Sequence, residues 1–292
     1  MIRAVEGRAA LGASALYASA LYACALYACV LCACVLCACV LTVCLACSDA
    51  KPQRVALATT ARAPWEAVGP QSSGEYKVIS LPAIGRIKGV VEFGGAAPAD
   101  TVVHLTSDAD VCGQTLVDVS VDHRGPRLAN AVVWLSGITA GKHLPYARRY
   151  DITTVGCRLV PRVQAGVVGG TLNVGNADQT THRTVFIRQE TGTALATVQE
   201  TEAGAVVPTA AVLSVPGMVE VRCDQHPWTH GWIVVFDHPY FTTTDANGAF
   251  TIDSVPPGRY QITAWHERFG TTRDSVTVVA AQDAAAQLQF GK

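Results

Sequence analysis

From Gly85 to the C-terminus the chain offers no long apolar stripe at helical spacing. It offers short runs of Val, Ile, Thr and aromatic residues, each closed by Gly, Pro, Asn or Asp. The clearest are 87–93, 131–135, 171–174, 184–187, 219–222, 232–236, 250–252, 260–265 and 276–279. β-Branched and aromatic side chains suit a pleated, half-buried surface, and turn residues between the runs bring each back towards its neighbours. An all-β architecture of sandwiches or barrels is predicted. Asp245-Ala246-Asn247-Gly248 lies between two of these runs, and Asn-Gly adopts positive φ at little cost, so a hairpin is expected there. The same residues start like a calcium loop, but no Glu closes it at the required spacing.

The N-terminal part is a different object. Residues 9–47 carry no charge, Arg3 and Arg8 precede them, and Ser48-Asp49-Ala50-Lys51-Pro52 follows. Eight of the 11 Cys lie between Cys24 and Cys47, all but Cys47 within a five-residue unit (ALYAC, VLCAC, VLTVC) that repeats with only its apolar character constant. A basic start, an apolar run and a polar exit form a signal or anchor segment, 1–47. Cys44-Leu45-Ala46-Cys47-Ser48 resembles a bacterial lipoprotein processing site, with Cys47 as the lipidated residue, although Cys44 stands where Leu is usual. Lipid anchoring, an uncleaved helix and ordinary cleavage all place the remainder outside the cytoplasmic membrane, where disulfides are permitted. Residues 48–84, with Pro52, Pro64, Pro70 and Pro82 and no sustained periodicity, read as a linker. Lys and Arg total 22 against 23 Asp and Glu, a balance that excludes nucleic acid as a main partner.

Outside the leader only Cys112, Cys157 and Cys223 remain, an odd number for an exported chain. Cys112 and Cys157 sit in loop contexts and can pair, which would stabilise the fold by about 3–5 kcal/mol in the chain-entropy model. Cys223 begins the segment Cys223-Asp224-Gln225-His226-Pro227-Trp228-Thr229-His230. A thiol and an imidazole so close at a strand end can share one ion. A blue-copper centre needs two His and one Cys in a trigonal plane with a weak axial donor. His182, after the polar loop 175–181 and before the run 184–187, is the candidate second imidazole.

Gly170-x-x-Asn173-Val174-x-Asn176-x-Asp178-x3-His182, followed by Pro216-Gly217-Met218-Val219-Glu220-Val221-x-Cys223-x2-His226-Pro227-Trp228, resembles a cupredoxin over roughly 85–236. The short Cys-x2-His-Pro-aromatic loop is most like amicyanin. The resemblance implies a Greek-key β-sandwich, copper held by His182, Cys223 and His226, and one-electron transfer with a periplasmic redox partner protein. It also implies an electron port at the ring edge of His226, presented through an apolar patch that includes Pro227. The axial Met of that family is missing, since Thr229 occupies its place. Thr229, His230, a water or a backbone carbonyl would have to stand in. Arg183 replaces the Asn that usually follows the upstream His and ties the two ligand loops together.

Residues 237–292 resemble a carboxypeptidase regulatory-like, transthyretin-like β module, through His238-Pro239-Tyr240-Phe241, Asp245-x-Asn247-Gly248-x-Phe250, Pro256-Pro257-Gly258-x-Tyr260 and Trp265-His266-Glu267. The pair of modules resembles exported proteins often labelled methylamine-utilisation proteins. The segment is short for a sandwich of its own, so it is expected to take strands from the N-terminal part of the β region. His266 and Glu267 adjoin on a strand and so point to opposite faces, against a joint acid–base role.

The expectation is a membrane-tethered, lipoprotein-like periplasmic copper protein of bacterial type, an electron carrier and not an enzyme. The alternatives are a metal-free β-sandwich envelope lipoprotein with an interaction or carbohydrate-binding role, a closed zinc site of His182, Cys223, His226 and His230, and an enzyme with copper open to substrate.

Overall fold

The computed structural model describes residue 70, residues 74–118 and residues 120–291. The export segment, Cys47 and linker residues 48–69 lie outside them. Along the chain, β1 (Lys77–Val78) and β2 (Gly85–Phe93) precede an arm made of β3 (Thr101–His104), one helical turn (Ala109–Cys112) and β4 (Thr115–Asp118). Then come β5 (His123–Arg124), β6 (Arg127–Leu128), β7 (Val132–Ser136) and β8 (Ala140–Gly141). The middle of the chain holds β9 (Arg149–Val155), β10 (Arg158–Val160), β11 (Val163–Val167), β12 (Thr171–Asn176) and β13 (His182–Arg188). It continues through β14 (Thr193–Glu200), β15 (Val206–Thr209), β16 (Gly217–Cys223) and β17 (His230–Phe236). β18 (Phe241–Thr243), β19 (Ala249–Val255), β20 (Gly258–His266), β21 (Gly270–Val278) and β22 (Asp283–Phe290) complete the described chain, which is all-β as predicted.

Two sandwiches result. In the first, a sheet ordered β10-β9-β12-β15 faces one ordered β11-β17-β16-β13-β14 across a core that includes Ile152, Leu172, Val174, Phe186, Val221 and Ile233. In the second, β18-β7-β20-β21 faces β19-β2-β6-β5, with β22 also paired to β2, across a core that includes Ile87, Val91, Leu135, Ile252, Ile262 and Leu288. Strands from early and late in the described chain build this second body: β7 lies between β18 and β20, and β2 pairs with β19 and β22. The end of the predicted linker is also held, since β1 pairs in parallel with β8 and Tyr76 Oη donates to the Lys142 carbonyl at 2.7 Å.

Side-chain alternation explains a third apolar cluster. On β7, Val133 and Leu135 enter the second core, whereas Val132 and Trp134 turn the other way. On β17, Ile233 and Val235 enter the first core, whereas Val234 and Phe236 turn outward. Those outward side chains meet, together with Met218, Val163 and Trp265. Successive residues of a strand face opposite sides, so a strand buried on both faces needs a near-continuous apolar run. The runs at 131–135 and 232–236 are those strands, and they join the sandwiches face to face.

Two local expectations change. Asp245 does form a tight turn: its Oδ1 accepts from the N–H groups of Asn247 and Ala249. Gly248 (φ +68°) sits where a Cβ would come within 2.8 Å of the Val91 carbonyl. The turn nevertheless does not close a hairpin, because β18 pairs with β7 and β19 pairs with β2, in different sheets. Thr244 directs the divergence: its Oγ1 donates to the Leu128 carbonyl and accepts from the Ala131 N–H. In β22, Asp283-Ala-Ala-Ala-Gln-Leu-Gln-Phe290 is rich in helix formers, yet it pairs in parallel along the whole of β2. Burial of Leu288 and Phe290 overrides the weak local preference.

Candidate metal centre

His182 opens β13 and Cys223 closes β16. The two strands are antiparallel neighbours, with Thr184 directly opposite Cys223. Opposed residues share a face, and His182, two residues from Thr184, shares it too. Both side chains therefore point into one end of the first sandwich. His226 follows on a tight loop closed by Thr229 N–H donating to the His226 carbonyl (2.8 Å) and Cys223 N–H to the Thr229 carbonyl (3.0 Å). The loop brings the second ring over the first, with centroids 4.6 Å apart.

Three donor atoms converge. Cys223 Sγ lies 3.8 Å from His182 Nδ1 and 3.6 Å from His226 Nδ1, and the two Nδ1 atoms are 3.0 Å apart. A triangle with those sides has its centre about 2 Å from each corner, near the bond lengths that imidazole and thiolate make to a first-row metal. The three residues are a buried group able to hold a metal ion, and Cys223 is a free, buried cysteine. The residues fit the ion.

Carboxylates set the tautomers. His182 Nε2 donates to Asp178 Oδ2 (3.1 Å), and His226 Nε2 donates to Asp108 Oδ2 (2.9 Å). With the proton held on Nε2 in each ring, both Nδ1 lone pairs face the thiol. Asp178 is itself fixed by N–H groups of Gly156 (2.6 Å) and Cys157 (2.8 Å). Burial pushes the His182 imidazole below its usual range, and the adjacent His226 acts in the same direction. The hydrogen bond from His226, then that from Thr180, holds the Asp108 carboxyl below its ordinary range. Glu200, opposite His182 on β14, is buried and pushed up to about 7 by that burial; its Oε1 has no partner.

Among known proteins, a family model of the carboxypeptidase regulatory-like domain matches residues 193–290. No curated protein matches the chain. Solved structures show a weak likeness. The purple cupredoxin from Nitrosopumilus maritimus is 21% identical over 30% of this chain and 99% of its own, with a TM-score of 0.25. A mutant amicyanin in its Cu(I) form is 19% identical over 30% of this chain and 82% of its own, at 0.26. The copper-containing nitrite reductase from Thermus scotoductus SA-01 is 22% identical over 35% of this chain and 24% of its own, also at 0.26.

The remaining site residues fall as follows. Cys112 and Cys157 form a disulfide, with Cα atoms 5.4 Å apart. Because Cys157 is so bonded, it has no thiolate to offer beside Asp178 and His182. Thr229 is buried, and its hydroxyl donates to the Cys157 carbonyl at 2.6 Å. His230 is directed elsewhere. It is paired with Arg222, one residue from Cys223, and so faces the opposite side of the sheet. Its Nδ1 meets the Trp228 carbonyl, and its Nε2 meets Arg162, which also binds Asp118 and Glu267. The tetrahedral set with His230 is therefore not assembled.

The expectation of a bare ring edge at His226 is corrected. His226 is 0% exposed: Asp108, on the arm between β3 and β4, meets its outer nitrogen, and the Trp228 ring packs against it with centroids 5.3 Å apart. The missing Asn tie is replaced as well. Arg183 N–H donates to Cys223 Sγ (3.5 Å), and Asp224 N–H to the Arg183 carbonyl (3.0 Å). Asp108 adds a second tie by accepting from Thr180 Oγ1 (3.0 Å) as well as from His226. Asp108 escaped the sequence reading, since 118 residues separate it from its partner.

Proposed function

We propose that the chain is an exported, membrane-tethered copper protein that carries single electrons. The observation that carries this reading is the triangle of His182 Nδ1, Cys223 Sγ and His226 Nδ1 around one centre. Two imidazoles and a thiolate in that arrangement match the equatorial set of a blue-copper site. Copper, when bound, supplies the one-electron Cu(II)/Cu(I) couple.

The protein's own residues do the rest. Strands β13 and β16 hold two donors rigidly, and the short 224–228 loop holds the third, so little has to move when charge changes. The Arg183 N–H, aimed at Cys223 Sγ, favours the thiolate and withdraws charge from it, which raises the potential. The Asp178 and Asp108 carboxylates increase the basicity of the two imidazoles, which favours Cu(II) and lowers it. Met218 does not serve as an axial thioether: it lies in the apolar cluster between the sandwiches, on the opposite face of β16 from Cys223. Burial of all three donors supports a carrier over an enzyme with copper open to substrate. The apolar segment 1–47 supports export and anchoring, with Cys47 as the lipidated residue.

Metal analysis and a visible spectrum on the full chain test the reading. Copper loading gives an intense band near ~600 nm from Cu–thiolate bonding, and Cys223→Ser abolishes it. A copper-loaded chain with no such band refutes the carrier reading.

A further inference from the structure

The arm that carries Asp108 is not part of either sandwich. Its strands β3 and β4 pair only with each other, with Thr101 opposite Asp118 and His104 opposite Thr115. Between them, residues 105–114 lie across the metal end of the first sandwich. Asp108 Oδ2 accepts from His226 and Oδ1 from Thr180, bridging the loops that carry the two imidazoles. Asp108 has φ +49° and ψ +38°, a left-handed backbone that Asp tolerates better than most residues. Four residues on, Cys112 is covalently joined to Cys157. Cys157 is the residue whose N–H donates to Asp178, the carboxylate behind His182. At the far end, Arg162 binds Asp118 and Arg158 donates to the Val117 carbonyl.

We propose that Asp108 is a positioning residue of the metal centre and that the Cys112–Cys157 disulfide staples it there. It fixes the His226 ring and closes the outer edge through which solvent or a partner would otherwise reach the three donors. The physical ground is the pairing of a directional contact with a covalent one. A surface carboxylate pairing with an imidazole gains little when its backbone is free to drift, because ordering the loop costs as much as the contact returns. The disulfide removes most of that cost by confining the arm before the contact forms. Asp108 and Asp178 then act as a pair. Each holds one imidazole by Nε2, and both are tied to the same bridge, one through Cys112 and the other through the Cys157 N–H.

The inference rests on the copper reading only in its second readout. The first uses the metal-free full chain and follows alkylation of Cys223 by iodoacetamide, read by the mass of its peptide. Asp108→Ala and the double variant Cys112→Ser/Cys157→Ser should label roughly tenfold faster than the parent or more, as expected when a charged hydrogen bond or its tether no longer holds a local closure. Asp108→Asn keeps an acceptor for His226 and a partner for Thr180, and should label within about twofold of the parent. The second readout is the potential of the copper-loaded chain: Asp108→Asn, closed but uncharged, should raise it, which a purely structural role would not do. Parent-like labelling in Asp108→Ala or in the double serine variant overturns the proposal, and so does an unshifted potential in Asp108→Asn. A chain that binds no copper yet labels as expected keeps the closing arm and refutes the carrier reading alone.

Discussion

Met218 and Cys223 share strand β16 and face opposite sides of it. They stand five positions apart, an odd offset, so Cys223 looks into the first sandwich with His182 while Met218 joins Trp134, Phe236 and Trp265 between the sandwiches. The thioether that the cupredoxin resemblance would place at the candidate metal centre is present in the chain but committed to packing. Met218→Ala should destabilise the protein by about 2–4 kcal/mol through the cavity it leaves. It should leave the copper spectrum unchanged. Chemical denaturation and a visible spectrum check both parts; a shifted thiolate band would place Met218 in the site.

Asp178 is expected to couple stability to metal binding. It accepts from two backbone N–H groups and from His182, and is itself buried. Asp178→Ala leaves those donors unpaired. A loss of about 2–4 kcal/mol is expected in the metal-free chain. Metal affinity should fall by roughly 10–100-fold, as for other partners of ligating imidazoles. Denaturation of the metal-free chain and a competitive metal titration separate the two losses.

The face between the sandwiches offers a test of cooperativity. Trp265 is buried and meets Trp232 edge-on with ring centroids 5.4 Å apart. Trp265→Ala should cost about 3–5 kcal/mol. It should also separate one unfolding transition into two, with the copper band reporting the first sandwich and far-ultraviolet circular dichroism reporting both. Coincident transitions in the variant would show that the two bodies do not depend on this face.

Acid should weaken the fold through two imidazoles outside the candidate metal centre. Burial pushes His238 down to about 4 and His266 down to about 3, the latter aided by Arg162 and Arg268. Each Nδ1 accepts a backbone N–H, from Tyr240 and Arg268 respectively, so protonation would set N–H against N–H. Their folded values lie below the unfolded value near 6.5, so between about 4 and 6.5 the unfolded chain binds more protons. Stability is therefore full above that window and falls as pH drops through it, by about 1.4 kcal/mol per pH unit for each imidazole. His238→Asn and His266→Asn, which keep an acceptor near the Nδ1 position, should each remove one such slope in metal-free denaturation between pH 4.5 and 6.

Much of the site was legible because its chemistry is local. Cys223 and His226 share one short segment, and His182 stands where a polar loop enters a β-branched strand. Asp108 was illegible for the opposite reason. Its neighbours in sequence are exposed and polar, and its meaning comes from a contact made across the fold. Strands 149–155, 193–200 and 283–290 were also hidden, because each mixes polar or Ala residues into a surface buried on one side only.

The order of residues alone pointed to an all-β fold from Gly85 onward, left Cys112 and Cys157 free to pair, and put one thiol and one imidazole on a short segment; His182 as the second imidazole came with the cupredoxin resemblance. Only the tertiary structure decided that the ring edge of His226 is covered, that His230 faces away, and that the ends of the described chain meet in one sandwich around β2 and β7. The division follows from range. Turn chemistry, side-chain alternation and donor spacing act within a few residues. Burial of a given face depends on which distant strand arrives to cover it.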